Sequence, residues 1–517
     1  MPKEDPRIAE LHKMREKVYK AGGEERIAKH KAKGKLTARE RIDLLLDPGT
    51  YTELEPYITH QGDEMGINAE KAPGDGVVTG FGQIDGRTVY VFAQDFTVQG
   101  GSLGEMHARK ICRVMDLAVK SGAPVIGMLD SGGARIQEGV RSLGGYAEVF
   151  KRNALTSGIV PQISLMFGPC AGGATYSPAL TDMIIMVEKQ SYMFITGPEV
   201  IKSVTGEVID FEGLGGADVH TGTSGVAHLT GKSDQEVIGI CRRILGYLPS
   251  NNIDNPPFVA PAAHSIKKIE ALNHIVPLDT AAPYSMKEVI DLTVDSGSFI
   301  ELQPNFARNA IIGLARIGGF SVGIVASEPS VMAGCIDINA SDKIARFVRF
   351  ADSFNLPLIS FVDTPGFLPG INQEHGGIIR HGAKILFAFA EASVPKVSIV
   401  TRKAYGGAYI VMGSKFLGGD VNFGWPSAEI AVMGPEGAVN ILYRKQIEGA
   451  DDQAKERGKR VQEYRDQFLN PYAAASHGYL DDIIEPSETR IKVIAALNAL
   501  KDKATPALPR KHGNMPL

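Results

Sequence analysis

Three landmarks recur in this chain at almost one spacing. A loop opening at Asp130 (Asp-Ser-Gly-Gly-Ala-Arg) has a counterpart 233 residues on, at Asp363 (Asp-Thr-Pro-Gly-Phe). Gly172-Gly173 returns after 234 residues as Gly406-Gly407, and Gly197-Pro198-Glu199 returns after 237 as Gly434-Pro435-Glu436. Separations this constant mean that a whole domain is repeated, so the chain must fold as two similar bodies, each closing its own core. Its 517 residues give each half roughly the 250 residues at which single cores stop growing. A Pro- and Asn-rich stretch over 248–262 parts the halves, which places the boundary near residue 260 and predicts domains 1–260 and 261–517.

Each half alternates strand and helix signals. In the first, residues 74–92 alternate apolar and polar positions on either side of Asp85-Gly86, a hairpin signal. A polar glycine loop, an amphipathic helix over about 105–120 and a short apolar strand over 123–129 follow. The second half repeats the order, with a hairpin over 313–325, a helix over about 341–354 and a strand over 356–362. Strands feeding helices through loops predict an α/β fold with a largely parallel sheet, whose sites lie at the strand ends. Ahead of the first domain, Thr37-Ala-Arg-Glu40 opens a capped amphipathic helix stopped by Pro48-Gly49.

The two glycine pairs stand at such strand ends. The apolar run 159–167 leads into Gly168-Pro-Cys-Ala-Gly-Gly-Ala-Thr-Tyr176, and the run 394–401 leads into Arg402-Lys-Ala-Tyr-Gly-Gly-Ala-Tyr409. Consecutive N–H groups at a strand-to-helix turn can converge on one oxygen, and the helix dipole favours negative charge there. A single glycine pair reads most simply as a tight turn. Duplication in register predicts two oxyanion holes, hence two oxygens to be held.

Composition removes other classes. A formal charge of −4 with 22% charged residues gives no basis for nucleic-acid binding. Cys112, Cys170, Cys241 and Cys335 form no Cys-x-x-Cys pair, which speaks against a zinc ribbon or a disulfide framework and for a reducing compartment. The start of the chain lacks an apolar leader, and no apolar run is long enough to span a bilayer, so a cytoplasmic location is expected. The histidines lack metal-ligand spacing, so no metal is expected. Gly225-Val-Ala-His-Leu-Thr-Gly-Lys-Ser233 has five residues between its glycines where a phosphate loop needs four, and ATP is not expected. Residues 1–42 carry 13 Lys or Arg against 7 Asp or Glu. That charge is a solvated helical face, or part of it meets phosphates.

Long segments in order resemble the biotin-dependent carboxyltransferases, the family of the propionyl-CoA carboxylase β subunit and of the carboxyltransferase subunits of methylmalonyl-CoA decarboxylase and transcarboxylase. They include Gly-Lys-Leu-Thr-Ala-Arg-Glu-Arg-Ile at 34–42, Gln-Asp-Phe-Thr-Val-Gln-Gly-Gly-Ser at 94–102, Asp-Ser-Gly-Gly-Ala-Arg at 130–135, Asp-Thr-Pro-Gly-Phe at 363–367, and both glycine turns. The resemblance implies two tandem crotonase-like domains of ββα units wound in a spiral, the first on the acyl-CoA side and the second on the biotin side. It implies carboxyl transfer between N-carboxybiotin and the α carbon of a short acyl-CoA, with propionyl-CoA and methylmalonyl-CoA expected. Gly172 and Gly173 would face the thioester oxygen, and Gly407 and Ala408 the ureido oxygen. Phe367, Gly406, Tyr409 and Ile410 would line the biotin pocket.

Ser131, Gly132, Gly133, Ala134 and Arg135 shape the acyl-CoA side, or form a turn whose Arg135 pairs with a carboxylate. With no biotinyl-lysine segment in the sequence, biotin is expected on a separate carrier or biotin carboxylase subunit. The resemblance further implies a homohexamer with sites between subunits. Companion subunits, including a membrane decarboxylase partner, would decide among carboxylase, transcarboxylase and sodium-coupled decarboxylase. Two other classes, a crotonase-type hydratase or thioesterase and a non-catalytic scaffold, fit less well, because both glycine pairs are intact.

Overall fold

The computed structural model describes residues 5–61, 71–261, 265–505 and 509–517. The chain divides into two compact units, Met1–Asp254 and Asn255–Leu517. The break falls six residues before the position expected from composition, because residues 255–260 pack on the second unit. Val259 N–H donates to the Gly319 carbonyl (3.0 Å), and the Ser321 hydroxyl donates to the Pro257 carbonyl (2.9 Å).

The first unit is built on one sheet with strands β1 (Thr52–Leu54), β2 (Val77–Ile84), β3 (Arg87–Gln94), β4 (Val125–Ser131), β5 (Gln162–Ala171), β6 (Met183–Val187), β7 (Tyr192–Phe194) and β8 (Leu229–Gly231). Their order is β1-β2-β3-β4-β5-β6-β8, with β7 pairing the end of β5. The hairpin β2–β3 is antiparallel, and every pairing from β3 to β8 is parallel. Parallel strands covered on both faces read as continuous apolar runs, and β4 is buried at every position. The helix Glu105–Ser121 turns Ile111, Val114, Met115 and Ala118 into this core.

The second unit repeats the plan with β9 (Ile300–Leu302), β10 (Ala310–Ile317), β11 (Phe320–Ser327), β12 (Leu358–Thr364), β13 (Lys396–Tyr405), β14 (Val421–Gly424), β15 (Glu429–Ala431) and β16 (Asp482–Ile483). The order β9-β10-β11-β12-β13-β14-β16, with β15 on the end of β13, is the order of the first unit. This is the two-domain α/β architecture that the spacing predicts. Even irregularities repeat: the β4–β5 register shifts between Leu129 and Ser131, and the β12–β13 register between Val362 and Thr364.

Those shifts carry the central strands past their apolar sequence. The apolar runs of the two central strands end at 167 and 401. Beyond each bulge they pair again, β5 with β7 and β13 with β15, and so run four residues farther, directly into Gly172 and Gly406. A bulge re-aims a strand at a site rim.

In front of the first sheet, the helices Pro6–Lys20, Glu24–Lys31 and Ala38–Leu45 form the expected basic segment. The third is capped reciprocally, with the Glu40 N–H on the Thr37 hydroxyl and the Thr37 N–H on the Glu40 carboxylate.

Candidate active site

Gly172 and Gly406 begin the two turns at φ +60° and +57°, in the left-handed region where a side chain strains the backbone. A helical segment starts at once in both, a 3-10 turn over Gly172–Thr175 and an α-helix over Gly406–Val411. The first N–H groups of a helix have no partner within it. In the first unit these belong to Gly172, Gly173 and Ala174, and in the second to Gly406, Gly407 and Ala408. Ala174 and Ala408 are buried while Gly407 is exposed, so each turn buries the methyl of its third residue, and the second leaves backbone at the surface.

In the first unit the structure brings the predicted loop against the predicted turn. Ser131 pairs with Cys170 in the strand register. A Cβ on Gly133 would come within 2.9 Å of the Ala171 carbonyl oxygen, so only glycine permits that approach. Gly132 N–H donates to the Gly100 carbonyl (2.9 Å), and Ala134 bridges to Leu103. The ring of Tyr146, from the helix Val140–Thr156, lies 3.6 Å from where a Cβ of Gly173 would stand. Burial pushes the Tyr146 hydroxyl above its usual range.

Arg135 points inward. Its Nη1 meets Asp75 at 2.6 Å and Glu138 at 2.7 Å, and Nη2 donates to the Ser102 carbonyl at 2.9 Å. The side chain is sealed from solvent. It braces the loop from behind, which is the carboxylate-pairing role among the two the sequence left open.

Two buried ion networks lie under the strand ends, and sequence reasoning missed both. Arg41 joins Asp130 (3.2 Å) to Asp234 (2.8 Å), with Lys35 at 3.7 Å from Asp130. In the second unit Arg402 Nε meets Asp363 at 2.9 Å, and burial pushes the Asp363 carboxyl up against the pull of Arg402. The spacing of Asp130 and Asp363 marked them as equivalent. The arginines escaped because they come from unrelated places, a helix before the sheet and β13 itself.

Beside the Gly100 loop is a cavity of about 410 Å³ lined by Arg26, Lys29, His30, Lys33 and Phe96. It has no acidic wall. The basic segment thus supplies a cationic pocket adjoining the loop that carries Gly132. Burial holds the His30 imidazole below its usual range, with Arg41 and Lys35 adding to the effect and Asp130 opposing it.

In the second unit Phe367 is the positional equivalent of Ala134, bridging to Ile336 as Ala134 does to Leu103. Its ring stands 3.5 Å from where a Cβ of Gly407 would be and packs on Gly382 of the helix Ile378–Glu391. The turn and Phe367 therefore form one wall. Tyr409 and Ile410 follow on the same helix as the turn. Ile410 is exposed, and burial pushes the Tyr409 phenol up to about 12.

The chain is matched over residues 29–515 by the family model described as "Carboxyl transferase domain". It is 57% identical over 513 residues, 99% of both chains, to the propionyl-CoA carboxylase carboxyltransferase subunit of Haloferax mediterranei. It is 52% identical, again over 99% of both, to the methylmalonyl-CoA decarboxylase subunit alpha of Propionigenium modestum. Its fold superposes on transcarboxylase 12S, solved as a hexamer with methylmalonyl-coenzyme A and methylmalonic acid bound, with a TM-score of 0.97 and 48% identity over 100% of this chain and 99% of that one. Over its whole length, therefore, the chain belongs to the carboxyl transferase domain family, as an acyl-CoA carboxyltransferase of the propionyl-CoA carboxylase and methylmalonyl-CoA transcarboxylase type.

Proposed function

We propose that this chain moves a carboxyl group between N-carboxybiotin, carried on a separate subunit, and the α carbon of propionyl-CoA. The observation that carries the proposal is the pair of equivalent strand-to-helix turns at Gly172 and Gly406. Removing or adding a carboxyl group at the α carbon places negative charge on the thioester oxygen. Backbone donors already aimed at that oxygen lower the barrier without reorganising, each worth roughly 2.7–4 kcal/mol. Gly172 and Gly173 are assigned to it, with the Ser131–Gly133 backbone beside them.

The residues of the second unit fit biotin: a flat ring, Phe367, stands against a turn whose Gly407 has no side chain to fill the space between. Gly407 and Ala408 N–H groups would hold the ureido oxygen, with Gly406, Tyr409 and Ile410 around it. Bound there, biotin supplies the carboxyl group and a nitrogen able to accept the α proton. That fits a site whose predicted residues include no catalytic His or carboxylate. The cationic pocket of Arg26, Lys29 and Lys33 supports the acyl-CoA assignment, since coenzyme A ends in phosphates and the pocket adjoins the Gly132 loop.

Propionyl-CoA is preferred because the relatives at 52–57% identity are propionyl-CoA carboxylase and methylmalonyl-CoA decarboxylase subunits, although one methylene in an apolar pocket is worth only about 1–3 kcal/mol. A biotin carboxyl carrier, a homohexameric assembly and a cytoplasmic location belong to the same proposal. Among the described residues no helix is long and apolar enough to cross a membrane. A membrane decarboxylase partner would make the chain part of a sodium-coupled decarboxylase instead. The test is ATP-free decarboxylation of methylmalonyl-CoA, or carboxyl exchange, by the purified chain with a biotinyl carrier. Turnover without nucleotide is expected, and a strict need for ATP in that half-reaction would overturn the proposal.

A further inference from the structure

The two turns are built alike but supported differently. Tyr405, the last residue of β13, immediately precedes Gly406, and its hydroxyl donates to Glu429 Oε2. Glu429 opens β15, which pairs in parallel with the same strand end, Lys403 opposite Glu429 and Tyr405 opposite Ala431. Both residues are buried. The other Glu429 oxygen accepts from Arg465 Nη1 at 3.3 Å, and Arg465 Nη2 lies 3.8 Å from Glu436. Arg465 comes from the helix Gln453–Phe468, which buries none of its residues.

The corresponding positions in the first unit, at the spacings of the two landmarks nearest them, are Ala171 and Tyr192. No carboxylate stands there. The Phe211 ring instead packs against Tyr192 and Phe194, with centroids 5.9 and 5.5 Å away. Aromatic packing therefore suffices to support a turn of this shape. In the second unit its place is taken by a buried carboxylate, which is costly unless fully partnered, and its partners are directional. Removing Tyr405 leaves Glu429 Oε2 without this donor, and removing Arg465 leaves the carboxylate without its cation, beside the backbone that aims Gly407 and Ala408.

We propose that Arg465, Glu429 and Tyr405 form a positioning relay that holds the second turn in its donor geometry, making the surface helix Gln453–Phe468 part of the carboxyl-carrier half of the site. The inference rests on the proposed function, and it concerns the second turn alone. A displacement of about 1 Å in positioned groups can cost a hundredfold in rate. Tyr405→Phe, Glu429→Gln and Arg465→Met should each lower kcat about ten- to hundredfold with the biotinyl carrier, with acyl-CoA KM and direct acyl-CoA binding unchanged.

Arg465→Lys should recover part of the loss. The double variant Tyr405→Phe/Arg465→Met should be no worse than its poorer parent, since members of one network are not additive. Unchanged kcat in folded Tyr405→Phe, strictly additive losses, or an equal loss of acyl-CoA binding would overturn the relay. Arg465→Met alters only a partly exposed helix residue and decides the question even if the buried variants do not fold. Inactivity of the wild-type chain with every biotinyl carrier would count against the proposed function itself, whereas active wild type with equally active variants would remove only the relay.

Discussion

Ala408 gives the sharpest test of a single backbone donor. It is the third residue of the helix Gly406–Val411 and fully buried at its methyl. Proline is tolerated in the first turn of a helix, where its missing N–H costs no internal bond. Ala408→Pro should therefore fold, lose about 10²–10³ in kcat, and still bind acyl-CoA through the first turn, as calorimetric titration of the variant would read. A second residue, Lys343, answers to pH. Its ammonium is buried and donates to the carbonyls of Phe306 (2.8 Å), Ala310 (2.7 Å) and Gln303 (3.0 Å). Burial pushes it down to about 7 from an ordinary value of 10.5. Between those values the unfolded chain holds a proton that the folded chain has released, so stability rises with pH from about 7 to 10.5 and is level below about 7, where both states are protonated. Denaturant titrations of wild type and Lys343→Met between pH 6 and 10 should show a steeper rise in the wild type, the variant keeping only the part due to other buried amines such as Lys110, which burial pushes down to about 8. The variant should also be weaker by about 3 kcal/mol, because carbonyls lose their donor. A parallel pH dependence in both proteins would refute the assignment.

At the scale of elements, the helix Ile378–Glu391 sets the Phe367 ring. A Cβ on Gly382 would lie 2.9 Å from Phe367 Cε1 and 3.1 Å from Cζ, too close for the ring tip to stay where it is. Gly382→Ala should push the ring off its rotamer for about 1 kcal/mol, raising KM for the biotinyl carrier roughly fivefold and leaving KM for acyl-CoA unchanged. Equal shifts in both constants would mean that Phe367 does not belong to the carrier side. Much at this scale was legible in sequence. Asp85-Gly86 placed the hairpin, Thr37 and Glu40 placed a helix start, and the glycine pairs placed both turns, because each is a local signal. The four-residue extension of β5 and β13 was not legible, since it depends on bulges and on pairing with β7 and β15. Arg135 could not be decided either: its partners Asp75 and Glu138 lie on both sides of it in sequence, and only the folded chain brings both carboxylates to one guanidinium.

For the whole molecule, duplication was the most legible property, because each landmark recurs within a few residues of one offset. What duplication leaves exposed is also duplicated. Ile195 and Val204 in the first unit, and Val432 and Ile441 at the matching 237-residue offset in the second, are each more than half exposed. Each unit carries one glycine turn, and the proposed reaction needs two oxygens held at once. The family resemblance sets the first unit of one copy against the second unit of another. If that arrangement holds here, two crippled chains can complement: Gly173→Pro spoils the acyl-CoA turn, Ala408→Pro spoils the biotin turn, and a mixed oligomer still contains pairs in which both turns are intact. For a two-chain site formed from random mixing, one pairing in four has both intact turns, so activity near a quarter of wild type is the expected order of magnitude. Measured after labelled chains have been shown to exchange, that recovery would place the turns of one site on different copies, and its absence would put both turns on one chain.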